Sequence, residues 1–192
     1  MKTKGLLLML LAGAATSGFT AHAEEVASGE RITTPYMSLS VPAGAGWQVQ
    51  RRSDTAIALA RGEADNSFAV AALLSRMGPA DSPEEYEALI EQAVAKDGDP
   101  ANPDRYRLLE QSVKYSNERP YPCVRYTATS EDRAARGATV PLFLELHGLY
   151  CRHPADPSIG VTIMYSHRGV TRHPHLAEDA EAYLRDVVLT TP

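Results

Sequence analysis

Two cysteines constrain this chain of 192 residues more than any other feature. If Cys123 and Cys151 face each other across an antiparallel strand pair, every facing pair of that hairpin is set at once. Val124 then lies opposite Tyr150, Tyr126 opposite Gly148, Ala128 opposite Leu146 and Ser130 opposite Leu144, a mostly apolar face. The other face receives Arg125 with Leu149, Thr127 with His147, and Thr129 with Glu145. A slip of one residue would mix the two sets, because side chains alternate with period two. Register and hydrophobic pattern agree, so the hairpin reads as the spine of the fold, its disulfide on the more polar face. A reactive thiol or a metal thiolate is the alternative fate for these cysteines.

The compartment follows from the N-terminus. Lys2 and Lys4 form a basic start, Leu6 to Ala15 are almost all Leu, Ala, Gly or Met, and Ala21-His22-Ala23 is a small-x-small cleavage pattern. Residues 1–23 therefore read as a signal peptide of bacterial type, with Glu24 as the first mature residue and the periplasm, or secretion, as the destination. The apolar core is too short to span a bilayer, and no later segment reads as transmembrane. In an oxidising compartment two cysteines are expected to pair. Losing Lys2 and Lys4 turns 19 basic residues into 17 against 24 acidic ones, a mature net charge of −7. That balance argues against nucleic acid or an anionic membrane as the main partner.

Along the mature chain, residues 24–35 read as a flexible lead-in and 36–192 as one domain. Alternation predicts strands at Tyr36 to Val41, Trp47 to Arg52, Thr55 to Arg61 and Ser67 to Met77, the last apolar on both faces and so central. Ser82 as N-cap, Pro83 at the first helical position and Glu85 three residues after the cap start a helix. Its apolar face is Tyr86, Leu89, Ile90, Ala93 and Val94, and Asp97-Gly98-Asp99-Pro100 stops it. Four more strands follow, near 105–115, 121–130, 140–151 and 159–166. A second amphipathic helix then runs from Leu176 to about Leu189. The order ββββ-α-ββββ-α predicts an α+β domain, antiparallel sheet flanked by two amphipathic helices.

This order resembles the Mog1/PsbP-like α/β/α sandwich, which includes the DcrB-like bacterial envelope proteins. The likeness is carried by Tyr36-Met37-Ser38-Leu39-Ser40-Val41-Pro42, by Gly46-Trp47, by Ser82-Pro83-Glu84-Glu85 and by the closing helix. The resemblance implies a non-enzymatic binding or accessory role and supplies no catalytic motif.

Candidate chemistry is sparse. His147, His153, His167, His173 and His175 all fall in the last third. In the register that aligns the apolar residues of the strand after the hairpin, His147 faces Met164. A set of His147, Met164, His167, His173 and His175 would suit copper or zinc. The ordinary reading is surface and loop histidines, and no HExxH motif or Cys/His grid supports more. Asp97, Asp99, Asn102 and Asp104 make an oxygen-rich loop without the EF-hand order. No nucleophile elbow or phosphate-cradling loop occurs, and the sequence calls for no cofactor. Tyr36, Trp47, Arg51 and Arg52 could form an aromatic and basic patch for a partner, although a lone tryptophan is more often core. The sequence thus points to binding rather than catalysis: a protein partner in the cell envelope, in an accessory, inhibitory or immunity-like role, or alternatively a metal or small ligand at the His-rich end. Export itself is checked by N-terminal sequencing of the protein recovered from a periplasmic fraction, which is expected to begin at Glu24. A product that retains Met1 to Ala23 there would overturn the signal-peptide reading.

Overall fold

The computed structural model describes residues 24–94 and 101–190. The expected signal peptide, and the helix stop with Asp97 and Asp99, lie outside the described residues. In chain order the elements are β1 (Glu25–Val26), β2 (Arg31–Thr33), β3 (Met37–Ser40), β4 (Trp47–Ser53), β5 (Ala56–Glu63), β6 (Asn66–Arg76), α1 (Pro83–Val94), β7 (Tyr106–Ser116), β8 (Cys123–Asp132), β9 (Leu142–His153), β10 (Asp156–Gly169), α2 (Leu176–Asp186) and β11 (Val188–Leu189). Eight strands form one antiparallel sheet in the order β1-β4-β5-β6-β10-β9-β8-β7, and a second sheet has the order β11-β3-β2. With its two helices the chain is α+β, as the element order predicts.

The hairpin register is the one the cysteines dictate. Cys123 pairs with Cys151, Val124 with Tyr150, Tyr126 with Gly148, Thr127 with His147 and Thr129 with Glu145. Gly148 is needed here, because a Cβ at that position would run into the Tyr126 ring and the Ile163 carbonyl. The disulfide is formed, and both cysteines are fully buried.

Its surroundings differ from expectation. A register shift between Asp156 and Gly160 sets β10 so that Val161 faces Cys151, Ile163 faces Leu149 and Tyr165 faces His147. The apolar side chains of β10 therefore join the disulfide, and the face expected to be polar carries the main core. Leu149, Val161, Ile163 and Tyr165 pack there with Ile57, Leu59, Val70 and Ala72, under Leu176, Ala180, Tyr183, Leu184 and Val187 from α2 and its end. Met37 and Leu39 of the small sheet cover the rest, together with Trp47. On the opposite face Val124, Tyr126 and Tyr150 lie under Tyr86 and Ile90 of α1. As its two apolar faces predict, β6 is internal, between β5 and β10, with Val70 and Ala72 buried on one side and Ala71 on the other.

The ends are tied down by local chemistry. Ser82 Oγ accepts from the Glu85 N–H at 3.2 Å, and the Glu85 carboxylate reaches back to the Asp81 N–H at 2.8 Å, a capping box displaced by one residue. The Tyr86 hydroxyl donates to the Tyr150 carbonyl at 2.9 Å and pins α1 to β9. Arg119 donates to the Leu184 and Val187 carbonyls, satisfying backbone acceptors at the end of α2. Far from the disulfide, fully buried Asp132 receives Arg105 through Nε at 2.9 Å and Nη2 at 3.0 Å.

Two boundaries differ from the periodicity. Residues 24–35, expected as a flexible lead-in, contain β1 on β4 and β2 on β3, with Val26 and Ile32 buried. The second helix ends at Asp186, because Val188 and Leu189 pair with Ser38 and Met37 of β3. Asp186 accepts from Arg31 at 2.9 Å and from the Ser40 N–H at 2.6 Å, locking that junction onto the small sheet.

The cross-link closes a span of 28 residues, and chain-entropy reasoning values it at about 3.6 kcal/mol. Replacing both Cys123 and Cys151 by Ala is expected to lower unfolding free energy by at least that much, since two core side chains also shrink. Urea unfolding measures it, and a loss below about 1 kcal/mol would show that the bond contributes little.

Candidate functional site

The face of the sheet that carries the disulfide becomes polar toward its other end, and two groups of side chains occupy that region. The first surrounds Arg125. Its Nε and Nη2 donate to the two Glu118 oxygens at 2.9 and 2.5 Å, and Nη1 lies 3.0 Å from Glu181 on α2. The guanidinium so placed holds Glu118 below the ordinary carboxylate range. Glu118, Arg119, Arg125 and Arg185 line a cleft of about 470 Å³ over Leu149 and Leu184. Arg119 is committed to helix carbonyls and Arg125 to two carboxylates, so the cleft is a clamp between β8 and α2 rather than an open anion site. His147 is half-buried in the same region, and burial holds its imidazole below the ordinary value of 6.5.

The second group surrounds His167, which is 3% exposed. Its Nδ1 lies 3.3 Å from a Glu145 oxygen and its Nε2 lies 3.1 Å from the Asn66 side-chain oxygen. The same Glu145 oxygen accepts the His173 N–H at 2.8 Å, anchoring the segment that enters α2. The rings of Phe68, His167, His173 and His175 follow one another at centroid separations of 4.8, 5.2 and 6.4 Å. Arg61 stacks on Phe68 at 4.6 Å and on Trp47 at 5.0 Å, and at Gly44, where φ is +101°, a side chain would collide with that guanidinium.

The structure thus brings together His167, His173 and His175, but not the whole proposed ligand set. With Tyr165 opposite His147, Met164 lies opposite Gly148 and points to the other face, packed with Ala58 and Ala71. The expected His147–Met164 pair does not form, because the shift after Asp156 changes the register by one from the alignment judged on apolar residues alone. Among the described residues no group of three or more His, Cys, Asp or Glu side chains is arranged to hold a metal ion.

The aromatic and basic patch is also dispersed. Trp47 is fully buried and meets Tyr165 edge to face at 6.5 Å. Tyr36 packs on His153 at 5.9 Å in the small-sheet region. Arg51 and Arg52 are exposed but sit opposite Ala58 and Ile57, on alternate faces of β4. A two-for-one irregularity between Val49 and Arg51 takes Arg51 off the tryptophan's face and sets Arg52 opposite Ile57, on the Trp47 side of the sheet.

A different surface stands out. β7 is the last strand of the large sheet, eleven residues long, and exposed from Arg107 through Ser112. Leu108 is 54% exposed and Leu109 38%. At the opposite edge the two-residue β1 pairs only with Trp47 and Gln48 of β4. The sequence predicts a strand near 105–115 but does not mark it as an edge. The signal was present in Leu108 and Leu109 side by side among charges, a pattern that suits neither a buried face nor a plain solvent face.

In comparison with known proteins, no family model matches the chain, and no curated protein shows significant similarity to it.

The histidine group generates a pH dependence. A neutral His167 that donates through Nδ1 to Glu145 must accept at Nε2, which requires the Asn66 amide to turn its NH2 toward the ring. Burial holds His167 below 6.5, opposed by the hydrogen bond to Glu145, and His147 is likewise held down by burial. Folding therefore favours the neutral rings. The stability they contribute is present above the unfolded imidazole value and is lost as pH falls through the lower folded value. Unfolding midpoints in urea are expected to fall between about pH 8 and about pH 5, before carboxylates titrate, and the slope is expected to flatten in His167→Gln. A slope unchanged by that substitution would show that His167 does not contribute to it.

Proposed function

We propose that this chain is an exported, non-enzymatic protein of the bacterial envelope that binds a protein partner through the outer edge of β7. The observation that carries the reading is the open strand itself, eleven residues with one side unpaired by any described strand and with two leucines exposed at its start. Main-chain donors and acceptors along a sheet edge form a template for one more strand, and alternate side chains select what is added. An extended segment of a partner protein has that chemistry. The resemblance to DcrB-like envelope proteins supports an accessory, inhibitory or immunity-like role. The signal-like N-terminus and the buried disulfide support an oxidising compartment.

The other candidate surfaces are already engaged within the molecule. Arg125 is saturated by Glu118 and Glu181, and His167 is held by Glu145 and Asn66. The ring nitrogens of His167 face Glu145 and Asn66, and neither faces a hydroxyl or a thiol that it could activate as a general base.

A photo-crosslinking residue placed at Gln111 in cells is expected to give discrete protein adducts that disappear when Val113→Pro removes a donor on the outer side, the side to which the Tyr115 N–H also turns. The same probe at Arg52 is expected to give none. Absence of any adduct from Gln111 would sink the proposal.

A further inference from the structure

Resting on that reading, the geometry points to the identity of the added strand: we infer that it is β7 of a second copy of this chain, paired antiparallel about a two-fold axis at Ser112. Three observations lead there.

The first is parity. In an antiparallel ladder the main-chain groups of successive residues point alternately to the two sides. When a strand pairs with itself, outward-pointing groups meet outward-pointing groups only if the axis passes through a residue and not between two. The available registers are therefore centred on single residues. Regular pairing is confined to the stretch after Leu109, because β7 carries an irregularity between Leu108 and Glu110 that bends the edge.

The second is charge. A register centred on Glu110 would set that carboxylate against its own copy. One centred on Gln111 sets Glu110 against serine and Lys114 against Leu108. Centring on Val113 sets Lys114 against Ser112 and leaves Glu110 opposite Ser116. The register centred on Ser112 sets Glu110 of each copy opposite Lys114 of the other, twice by symmetry, with Gln111 opposite Val113, and it stops short of Tyr115, whose N–H already donates to Glu87 of α1. Opposite charges directly across a strand pair stabilise it, and like charges destabilise it.

The third is the present state of Lys114. It is exposed and faces Arg125 across β7 and β8, a juxtaposition of like charges. Arg125 is balanced by Glu118 and Glu181, whereas Lys114 has no ion-pair partner among the described residues. A carboxylate arriving from the outer side supplies one. Glu110 has Arg172 at 2.8 Å, but both side chains are largely exposed, so the carboxylate stays accessible. The contact spans few residues in each copy, which places it with weak, transient interfaces.

Sedimentation of the mature protein, from about 10 μM to about 1 mM, reads the inference directly. Wild type is expected to associate to a dimer. Lys114→Glu is expected to weaken association at least tenfold. Glu110→Lys is expected to weaken it as well, though it also releases Arg172, so Lys114→Glu is the cleaner variant. The double variant Glu110→Lys/Lys114→Glu is expected to regain most of the wild-type affinity. Circular dichroism checks that each surface variant remains folded. A wild type that stays monomeric throughout overturns the inference, as does a dimer indifferent to the charge reversals. The mass of the Gln111 adduct separates the two levels. An adduct of twice the chain mass supports self-pairing, and one with a different protein overturns it while leaving edge binding intact. No adduct at all defeats both.

Discussion

The buried cross-link between β8 and β9 is the constraint on which the rest of the structure depends. Cys123 opposite Cys151 sets which residues of both strands face α2 and which face α1. Because side chains alternate, one facing pair carries the whole hairpin with it. The shift after Asp156 then brings Val161, Ile163 and Tyr165 onto the cysteine side, and only with that choice does α2 find an apolar floor. One face thus divides along its length into a dry end built around sulfur and aliphatic groups and a polar end built around Arg125, Glu145 and His167.

How much of this could be read in advance depends on the element. The hairpin was legible because a covalent requirement and a period-two pattern reinforce each other over ten residues of β8. The first helix was legible from Ser82, Pro83 and Glu85, whose cap geometry is local. The β9–β10 register was not, because Pro157, Ser158 and Ile159 fall in an irregularity whose size no pattern of polarity reveals. Strands as short as β1, β2 and β11 show no periodicity at all, and exist because long-range partners take up their backbone groups. Tertiary context overrode the local reading there.

The same contrast separates the candidate residues. His167, His173 and His175 come together because a strand end and a helix entrance meet, which follows from element order. Met164 was misplaced by one register step, and one step reverses a side chain's direction. Trp47 and Arg51 are close in sequence, yet the irregularity in β4 divides them between core and solvent. The open edge of β7 required knowing which strand ends the sheet. Neighbour relations in a sheet are a property of topology, and composition does not encode them.

The small sheet has a consequence for the order in which the molecule can assemble. β3 takes β2 on one side and β11 on the other, so Met37 and Ser38 await Leu189 and Val188. At the centre of the large sheet, Val70 awaits Tyr165 in the same way. A chain growing from its N-terminus therefore has β3 and β6 present long before the strands that complete their ladders. Such high contact order makes folding slow and defers closure of the core until the last described strand has left the ribosome. Until then β2–β3 and β4–β5–β6 can pair locally, but β3 and β6 each keep one side without its final partner.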